Sequence, residues 1–418
     1  MNHPLRGFAG IIFIICIAFL CSRNRRAIRW KQVGSGILMQ FAFAIAILGI
    51  PSAGIPGVFR FVFDGLNFFV ITMIDFASAG SKFVFGPLAE VRDPWGFIFA
   101  FRALPSIVFF SAVMALLYHL GVLQKVVKGF AIVMQKTLRT SGAETLSGTA
   151  NIFMGQTEAP LLIRPFVARM TPSEIYCVMV GGMATIASGV EAAYVGLLKE
   201  RIPEIAGHLL TASVLGAMGG LVISKIIFPE TGEPLTAATL EVSADRPDAN
   251  AMEAVARGAS EGMQLALNVA AMLIAFISLI AVLDTGVAKI GEWFHVSQPI
   301  SFSILLGHLC RPVAWLIGVP WSESASIGRT LGEKVVINEF VSYVHLAQMS
   351  KDLSDRTLII ASYALCGFAN FSSIGIQIGG IGGMAPEQRG TLARLGLLAV
   401  LGGNLACFLS ACVAGILF

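Results

Sequence analysis

The sequence predicts an all-α protein that crosses the membrane many times, and three features carry this prediction. Hydrophobic residues make up 56% of the 418 residues, charged residues make up only 13%, and the mean hydropathy is +0.79. Several apolar runs reach the roughly 20 residues that a helix needs to cross a bilayer. Backbone groups in lipid must bond within their own segment, which favours helices. The net charge of +4 is spread over the loops, which argues against a nucleic-acid surface.

The first apolar run, residues 8–21, has the length of a secretory signal. A block of basic residues follows it at once: Arg23, Arg25, Arg26, Arg29 and Lys31. Basic residues favour the cytoplasmic side and oppose translocation. We therefore expect a retained first helix that enters from outside. A return helix is expected over residues 36–50, ended by Pro51 and Pro56.

The remaining chain contains further candidate spans and one polar loop. Residues 51–95 mix glycine, phenylalanine and isolated charges, so we expect amphipathic segments at the membrane interface there. The candidate spans are residues 97–123, 175–198, 208–228, 263–282, 358–381 and 392–418. The most polar loop lies between Pro229 and Arg257 and carries Glu230, Glu233, Glu241, Asp245, Arg246 and Asp248. We expect this loop to be exposed and to separate two halves.

Two short polar clusters interrupt segments that otherwise resemble membrane core. One is GQTEAP, from Gly155 to Pro160, and the other is NEF, from Asn338 to Phe340. Each cluster places a glutamate in the membrane, where a carboxylate costs several kcal/mol unless it pairs, meets water or binds a ligand. Such residues mark a substrate or ion path, so the sequence predicts a transporter.

The two clusters occupy matching positions in two similar halves. Ser141 precedes Glu158 by 17 residues, and Ser322 precedes Glu339 by 17 residues. A polar turn and then an apolar helix follow in each half, with the turns at residues 171–174 and 351–355. The first helix carries Thr185, Ser188 and Gly189, and the second carries Asn370, Ser372 and Ser373.

Each glutamate is only about a dozen residues from the following turn, or roughly 18 Å of helix, which cannot cross the bilayer. Two such half-length arms with a polar tip form a re-entrant hairpin, which is tolerated where the tip lines a cavity. Paired interruptions in corresponding positions indicate inverted repeats with a binding site at the midplane. A chance similarity of loop spacing is the alternative.

The side chains of the clusters suit two different ligand chemistries. Gly155, Gln156, Thr157 and Glu158 combine a flexible turn with an amide, a hydroxyl and a carboxylate, which complement the donors and acceptors of a heterocyclic base. In the second half, Asn338, Glu339, Asn370 and Ser373 suit a polyhydroxylated ligand such as a sugar. Asn370 and Ser373 share a face if their helix is regular. The alternative in both halves is a polar network that only fixes packing.

Other function classes find less support in the sequence. The seven cysteines form no CxxC pair, and the six histidines form no HExxH motif, which leaves a metal-dependent membrane enzyme without ligands. A membrane enzyme that uses Glu158 and Glu339 as acid and base remains an alternative, although no nucleophile and base set accompanies them. A passive channel is a third hypothesis, and it predicts flux that cannot run against a gradient.

Four stretches closely resemble the concentrative nucleoside transporter family. They are SGTANIFMGQTEAPLLIRPF at 147–166, LALNVAAMLIAF at 265–276, GVPWSES with KVVINEFVSY between 318 and 343, and ALCGFANFSSIGIQIGGIGGMAPEQR at 364–389. The resemblance covers nearly the whole chain. It implies ion-coupled import of nucleosides such as uridine across a bacterial inner membrane, without a cofactor or nucleic-acid partner. It also implies a homotrimer with about eight transmembrane helices and two re-entrant hairpins per protomer.

The resemblance also implies which residues bind the substrate. The residues matched to the nucleobase contacts are Gly155, Gln156, Thr157 and Glu158. Those matched to the ribose contacts are Glu339, Asn370 and Ser373. Phe368 is expected to pack against the ligand, and Leu265 is expected to line the base pocket.

The family's sodium site lies between the tip of the first hairpin and the unwound part of the next helix. Its matching residues here are Asn151, Met154, Thr157, Thr185 and Ile186, with Met154 and Ile186 acting through backbone carbonyls. Oxygen ligands of these kinds suit a hard monovalent ion. The resemblance therefore favours sodium as the coupling ion.

The resemblance to the family implies a division of the chain into scaffold and transport regions. Residues 1–140 form N-terminal helices and scaffold, 141–229 the first transport repeat, 230–300 the polar loop and a scaffold helix, and 301–418 the second transport repeat.

Glu191 stands where the family usually has an apolar residue. It either adds a protonatable group to the coupling mechanism, or faces a polar cavity or an arginine partner. Proton coupling is therefore the alternative to sodium coupling.

Overall fold

The computed structural model describes residues 3–90, 98–236, 248–293 and 301–418, and within these ranges the regular structure is helical. The helices are α1 His3–Leu20, α2 Trp30–Leu48, α3 Arg60–Phe85, α4 Phe99–Arg102, α5 Leu104–His119, α6 Val122–Leu138, α7 Gly142–Ala150, α8 Arg164–Val167, α9 Pro172–Met183, α10 Ser188–Leu198, α11 Ile205–Ile227, α12 Ala251–Trp293, α13 Phe302–Leu316, α14 Ser324–Val336, α15 Glu339–Gln348, α16 Asp355–Leu365, α17 Phe371–Met384 and α18 Arg389–Leu417.

The prediction of an all-α polytopic membrane protein is confirmed. Within the described ranges, seven segments are long and apolar enough to cross a membrane, and two shorter apolar helices accompany them: α1 and α13. Helix α11 is almost wholly buried and packs against α18, and α9 and α16 pack around this pair. Helix α12 runs for 43 residues rather than the expected 263–282, and most of its surface is exposed.

The expectation of amphipathic or interfacial segments over residues 51–95 stays a prediction. Helix α3 is one continuous helix of 26 residues, long and apolar enough for a crossing. Its isolated charges have partners, because Asp64 pairs with Arg60 at 2.9 Å and Asp75 lies 3.6 Å from Lys199. The partner of Asp75 is not visible in the local pattern, because Lys199 is distant in sequence. Residues 91–97, with the expected span start at Phe97, lie outside the described residues.

The polar loop after Pro229 is described only in part. Glu241, Asp245 and Arg246 fall outside the described residues. At its far end, Asp248 accepts two hydrogen bonds from Arg257, at 2.7 and 2.9 Å. The Arg257 guanidinium holds the pKa of the Asp248 carboxyl below its usual range. This pair connects the loop to the first turns of α12.

Two of the expected spans are broken helices. Residues 184–187 interrupt the segment 175–198, between α9 and α10, and residues 366–370 interrupt the segment 358–381, between α16 and α17. The two breaks contact each other, since the amide of Phe368 donates to the carbonyl of Thr185 at 3.3 Å. Asn404 of α18 donates to Ala369 O at 2.8 Å. Neighbouring elements thus satisfy backbone groups that the breaks release, which is what non-helical backbone at membrane depth requires.

The two predicted re-entrant hairpins are present and are built alike. Hairpin 1 consists of α7, a tip, a 3-10 turn and α8, and hairpin 2 consists of α14, a tip and α15. Ser141 caps α7 and donates to Glu174 in the first turn of α9 at 2.7 Å. Ser354 caps α16 and donates to Glu323, at the start of α14, at 3.0 Å. Each hairpin is therefore tied at its base to the broken helix that follows it.

Candidate functional site

A cavity of about 300 Å³ lies between the two hairpin tips, the two helix breaks and the middle of α12. All nine substrate residues predicted from the sequence line this cavity: Gly155, Gln156, Thr157, Glu158, Leu265, Glu339, Phe368, Asn370 and Ser373. Residues that are far apart in sequence thus meet at one place. This convergence does not by itself assign a role to any of them.

Glu339 is held in a fixed orientation at one end of the cavity. It is the first residue of α15, whose N-cap is Asn338, and the Asn338 side chain accepts a hydrogen bond from Val341 N at 2.9 Å. One carboxylate oxygen of Glu339 accepts from the Tyr194 hydroxyl at 3.0 Å, and the other accepts from Asn370 Nδ2 at 2.9 Å. Two donors, one from α10 and one from the second helix break, therefore orient this carboxylate before any ligand arrives.

Asn370 and Ser373 meet through helix capping rather than on one face of a regular helix. Asn370 lies outside α17 as its N-cap, and its side-chain oxygen accepts from Ser373 N at 3.0 Å and from Ser372 Oγ at 2.7 Å. The expectation that a helix runs through Asn370 is therefore wrong. The cap directs the Asn370 amide nitrogen toward Glu339, and Phe368 lies in the break just before it.

Gln156 connects hairpin 1 to the second repeat. Its Nε2 donates to Ser373 Oγ at 3.1 Å, and its Oε1 accepts from Gln377 Nε2 at 2.9 Å. Gln377 also donates to Met179 O at 3.0 Å, which anchors this amide chain to α9. The residues assigned by resemblance to base and ribose therefore contact each other directly.

Glu158 folds back onto the tip of hairpin 1. It accepts a hydrogen bond from Thr157 Oγ1 at 3.0 Å. A Cβ atom at position 155 would lie 2.0 Å from Glu158 Oε2, so a larger residue there would displace this carboxylate. Glu158 also lines a second cavity of about 520 Å³, which Arg164 and Arg257 border. It stands between the two cavities.

The residues matched to a sodium site belong to the tip of hairpin 1 and to the first helix break, which are joined where Ser188 Oγ donates to Phe153 O at 2.9 Å. Asn151 is fully buried at the end of α7, and its Nδ2 donates to Ser147 O at 2.9 Å. Thr185 Oγ1 donates to Gly181 O at 3.1 Å, and a Cβ atom on Gly181 would lie 3.8 Å from Asn151 Nδ2. Asn151 therefore lies beside the last turn of α9.

Several oxygen atoms at this junction lack a protein donor. Within the described ranges, no donor reaches Asn151 Oδ1 or the carbonyl oxygens of Met154 and Ile186. Thr157 Oγ1 is engaged with Glu158. An unpaired buried amide oxygen and free carbonyls are the donor set that a hard monovalent cation prefers. The residues present therefore fit sodium.

Glu191 is buried in α10 with no hydrogen-bond partner for either carboxylate oxygen among the described residues. The possibility of an arginine partner is therefore not realised. Tyr343 and Cys366 lie close enough to interact electrostatically with it. Glu191 lines neither of the two cavities described above.

Sequence reasoning missed two polar residues that support the site. Tyr194 holds Glu339, and its ring stacks on that of Tyr343 at a centroid distance of 4.1 Å. Gln377 holds Gln156. Each lies within an apolar helical run, which is a usable signal, because buried polar side chains in such runs need partners.

Family models for sodium-dependent nucleoside transporters match most of the chain. The model described as "Na+ dependent nucleoside transporter N-terminus" matches residues 9–88, and the corresponding C-terminus model matches residues 208–415. Between them, a model described as a gate for nucleoside recognition matches residues 100–201. Together the three models cover all but short stretches of the sequence.

Individual proteins show the same similarity. An uncharacterised transporter of Haemophilus influenzae is 43% identical over 99% of this chain and 97% of its own length. Sodium/nucleoside cotransporter 1 of Mus musculus is 38% identical over 100% of this chain, which spans 64% of that protein. The solved structure of CNTnw in an inward-facing substrate-bound state has a TM-score of 0.89 and 40% identity, covering 99% of this chain and 97% of that one.

Proposed function

This chain belongs to the concentrative nucleoside transporter family of sodium-dependent nucleoside transporters, and from that premise we propose that it imports nucleosides by sodium-coupled symport. The family consists of transporters and not enzymes, so the alternative of a membrane enzyme that uses Glu158 and Glu339 is wrong. The chain is a multi-pass membrane protein. We propose that it lies in the inner membrane of a bacterium, because two of its relatives are bacterial transporters.

One observation carries the proposal. The cavity between the hairpins is lined by one carboxylate and amide pair from each repeat, which together could engage both parts of a nucleoside. Gln156 and Glu158 offer an amide and a carboxylate for a base edge, and Glu339 and Asn370 offer a carboxylate and an amide for ribose hydroxyls. An apolar wall between the ends includes Leu265 and supports a planar ring.

The individual roles follow from this division. Gly155 and Thr157 shape the base end, and Ser373 contributes a hydroxyl at the ribose end. Phe368 packs against the bound nucleoside from the second helix break. Because Gln156 already donates to Ser373 at 3.1 Å, a nucleoside that engages both residues must rearrange or replace this bond.

Sodium binding would complete the junction beside the substrate cavity. Asn151, Thr185 and the carbonyls of Met154 and Ile186 supply oxygen ligands, and Thr157 joins them when its hydroxyl turns from Glu158. An ion that orders this tip also orders the neighbouring Gln156. Two ligands that favour one state must increase each other's affinity, and this reciprocity is the basis of symport.

The transport cycle follows from the hairpin architecture. Residues 141–229 and 301–418 would move as transport repeats against a scaffold of residues 1–140 and 230–300, exposing the site to each side in turn. We further propose a homotrimer. Helix α12 exposes large apolar side chains such as Leu267 and Ile274, and this surface would contact either lipid or a neighbouring protomer.

Proton coupling is the second candidate, and Glu191 is the observation that favours it. A buried carboxylate without a partner is costly when it is ionised, so it gains stability by holding a proton. Its position in α10, shortly after the first helix break, would link a proton to the same conformational change.

The decisive experiment is uptake of radiolabelled uridine into proteoliposomes with sodium and proton gradients imposed independently. Sodium symport predicts accumulation of uridine above the external concentration when only the sodium gradient is present. Accumulation driven only by protons and abolished in Glu191→Gln would overturn sodium coupling in favour of the second candidate. Flux that never exceeds equilibration would indicate a passive channel.

A further inference from the structure

Hairpin 2 contains a fully buried lysine. Lys334 of α14 has 0% of its surface exposed, and its Nζ donates to the carbonyl of Ala364 at 2.9 Å. Its ammonium also lies 6.0 Å from the centre of the Phe408 ring. Across the described ranges, no carboxylate forms an ion pair with it. Because burial of an ammonium without a direct ion pair is strongly unfavourable, this position requires an explanation.

A second buried lysine, Lys225, has different partners from those of Lys334. Lys225 of α11 is paired with the carboxylate of Glu144 and donates to Ser173 Oγ at 2.9 Å. Lys334 instead meets a carbonyl in the last turn of α16, where unsatisfied carbonyls carry partial negative charge. A helix end of this kind attracts any cation, whether it is free or attached to a side chain.

A comparable location in the first repeat, at the end of the first broken helix, holds the proposed sodium junction. There the arm of hairpin 1 brings Asn151 beside Gly181, in the last turn of α9 before the first break. In the second repeat the arm of hairpin 2 brings Lys334 to Ala364, in the last turn of α16 before the second break. Both arms therefore present a side chain to the C-terminal end of the broken helix that follows.

We infer that Lys334 is a tethered cation, whose ammonium occupies in the second repeat the position that corresponds to the sodium site in the first. This inference rests on the proposed sodium site and deepens it. It leaves no room for a second sodium ion at the equivalent position, because the ammonium fills that position permanently.

The tethered cation also explains how the two hairpins divide their roles. A free ion has to bind and leave, so hairpin 1 can change its structure with ion occupancy. The ammonium of Lys334 never leaves, so it holds hairpin 2 against α16 at every stage of the cycle. Lys334 lies five positions before Glu339 and interacts with it electrostatically, which links this positioning to the ribose end.

The test is the sodium dependence of uridine binding to purified protein, measured at fixed pH and ionic strength. The slope of log affinity against log sodium concentration gives the number of linked ions. The unmodified protein is expected to show a slope of one. Lys334→Gln removes the ammonium and supplies an amide oxygen, as Asn151 does in the first repeat. Its slope is expected to rise to two, with at least tenfold weaker binding at low sodium that recovers at high sodium.

Lys334→Met is the matched control, because it has similar volume but no charge and no oxygen ligand. It is expected to bind uridine more weakly at every sodium concentration while keeping a slope of one. A folded Lys334→Gln protein with an unchanged slope would overturn the inference. If Lys334→Gln does not fold, Asn151→Lys provides the reciprocal test. It should bind uridine with a slope of zero, and either retained sodium dependence or lost binding contradicts the tethered cation.

The design separates this inference from the proposed function. A slope of zero in the unmodified protein would contradict sodium symport itself. Because the inference rests on the sodium site, that result would overturn it as well. A slope of one that stays at one in folded Lys334→Gln protein would overturn the inference alone and leave sodium symport intact.

Discussion

The two hairpins have the same plan but differ at their tips. Eight residues, 151–158, separate α7 from the 3-10 turn in hairpin 1, whereas only Ile337 and Asn338 separate α14 from α15 in hairpin 2. Glu339 is held by donors from α10 and from the second helix break, while Glu158 is held by its neighbour Thr157. The tip of hairpin 2 is therefore preorganised, whereas the longer tip of hairpin 1 can change its conformation when base and ion bind.

The largest expected effect tests the preorganised tip. Glu339→Gln should weaken uridine binding more than tenfold, because losing a charge-assisted hydrogen bond to a ribose hydroxyl removes about 1.5 to 3 kcal/mol. Isothermal titration with uridine and with uracil measures it, and uracil should remain a poor ligand throughout. Glu204→Gln, at an exposed carboxylate that pairs with Arg60, is the control. Unchanged uridine affinity in folded Glu339→Gln protein would disprove the ribose assignment.

The next effect tests whether the first tip responds to sodium. Thr185→Val removes one oxygen from the proposed ion site and should raise the sodium concentration needed for half-maximal uridine binding about fivefold, for roughly 1 kcal/mol. Thr211→Val is the matched control, since its hydroxyl makes the same bond to the carbonyl four residues earlier. Glu191→Gln should leave the sodium dependence nearly unchanged. Equal shifts in both threonine variants would remove Thr185 from the ion site.

A smaller effect sharpens the division between base and ribose ends. Gln156→Ala should change discrimination among bases three- to fivefold, and Ser373→Ala should change discrimination among sugars by a similar factor, for about 1 kcal/mol each. Competition with base-altered and sugar-altered nucleosides provides the measurement. Because the two side chains are bonded at 3.1 Å, the double variant should show non-additive loss. Equal effects of both single variants on both selectivities would defeat the two-ended site.

The smallest effect concerns the support of Glu339. Tyr194→Phe removes one donor to its carboxylate and should weaken uridine binding two- to threefold, or about 0.5 kcal/mol, since only orientation is lost. Tyr343→Phe is the control within the same stacked pair, because its hydroxyl donates to Ser362 O at 2.7 Å instead. Thermal unfolding should register both changes, whereas uridine affinity should register only the first. Loss of affinity in Tyr343→Phe alone would assign the effect to packing.

The sequence by itself was sufficient for the class of the protein and for the residues around its cavity. Apolar runs and sparse charge predict membrane helices, because hydrocarbon excludes unpaired polar groups. Glu158 and Glu339 were identifiable for the same reason, as carboxylates in apolar surroundings. The equal distances from Ser141 to Glu158 and from Ser322 to Glu339 predicted the repeat. The short arms predicted re-entrant hairpins, because neither arm is long enough to cross the bilayer.

Only the tertiary structure decided where the helices break and which side chains satisfy one another. Helix continuity through Thr185 and Phe368 depends on whether neighbouring elements bond to the released backbone, and those neighbours are distant in sequence. The contacts from Gln156 to Ser373 and from Tyr194 to Glu339 are long-range for the same reason. The local sequence pattern indicates which polar groups need hydrogen-bond partners, whereas helix packing determines which partners they obtain. Among the described residues, this packing provides no hydrogen-bond partner for Glu191.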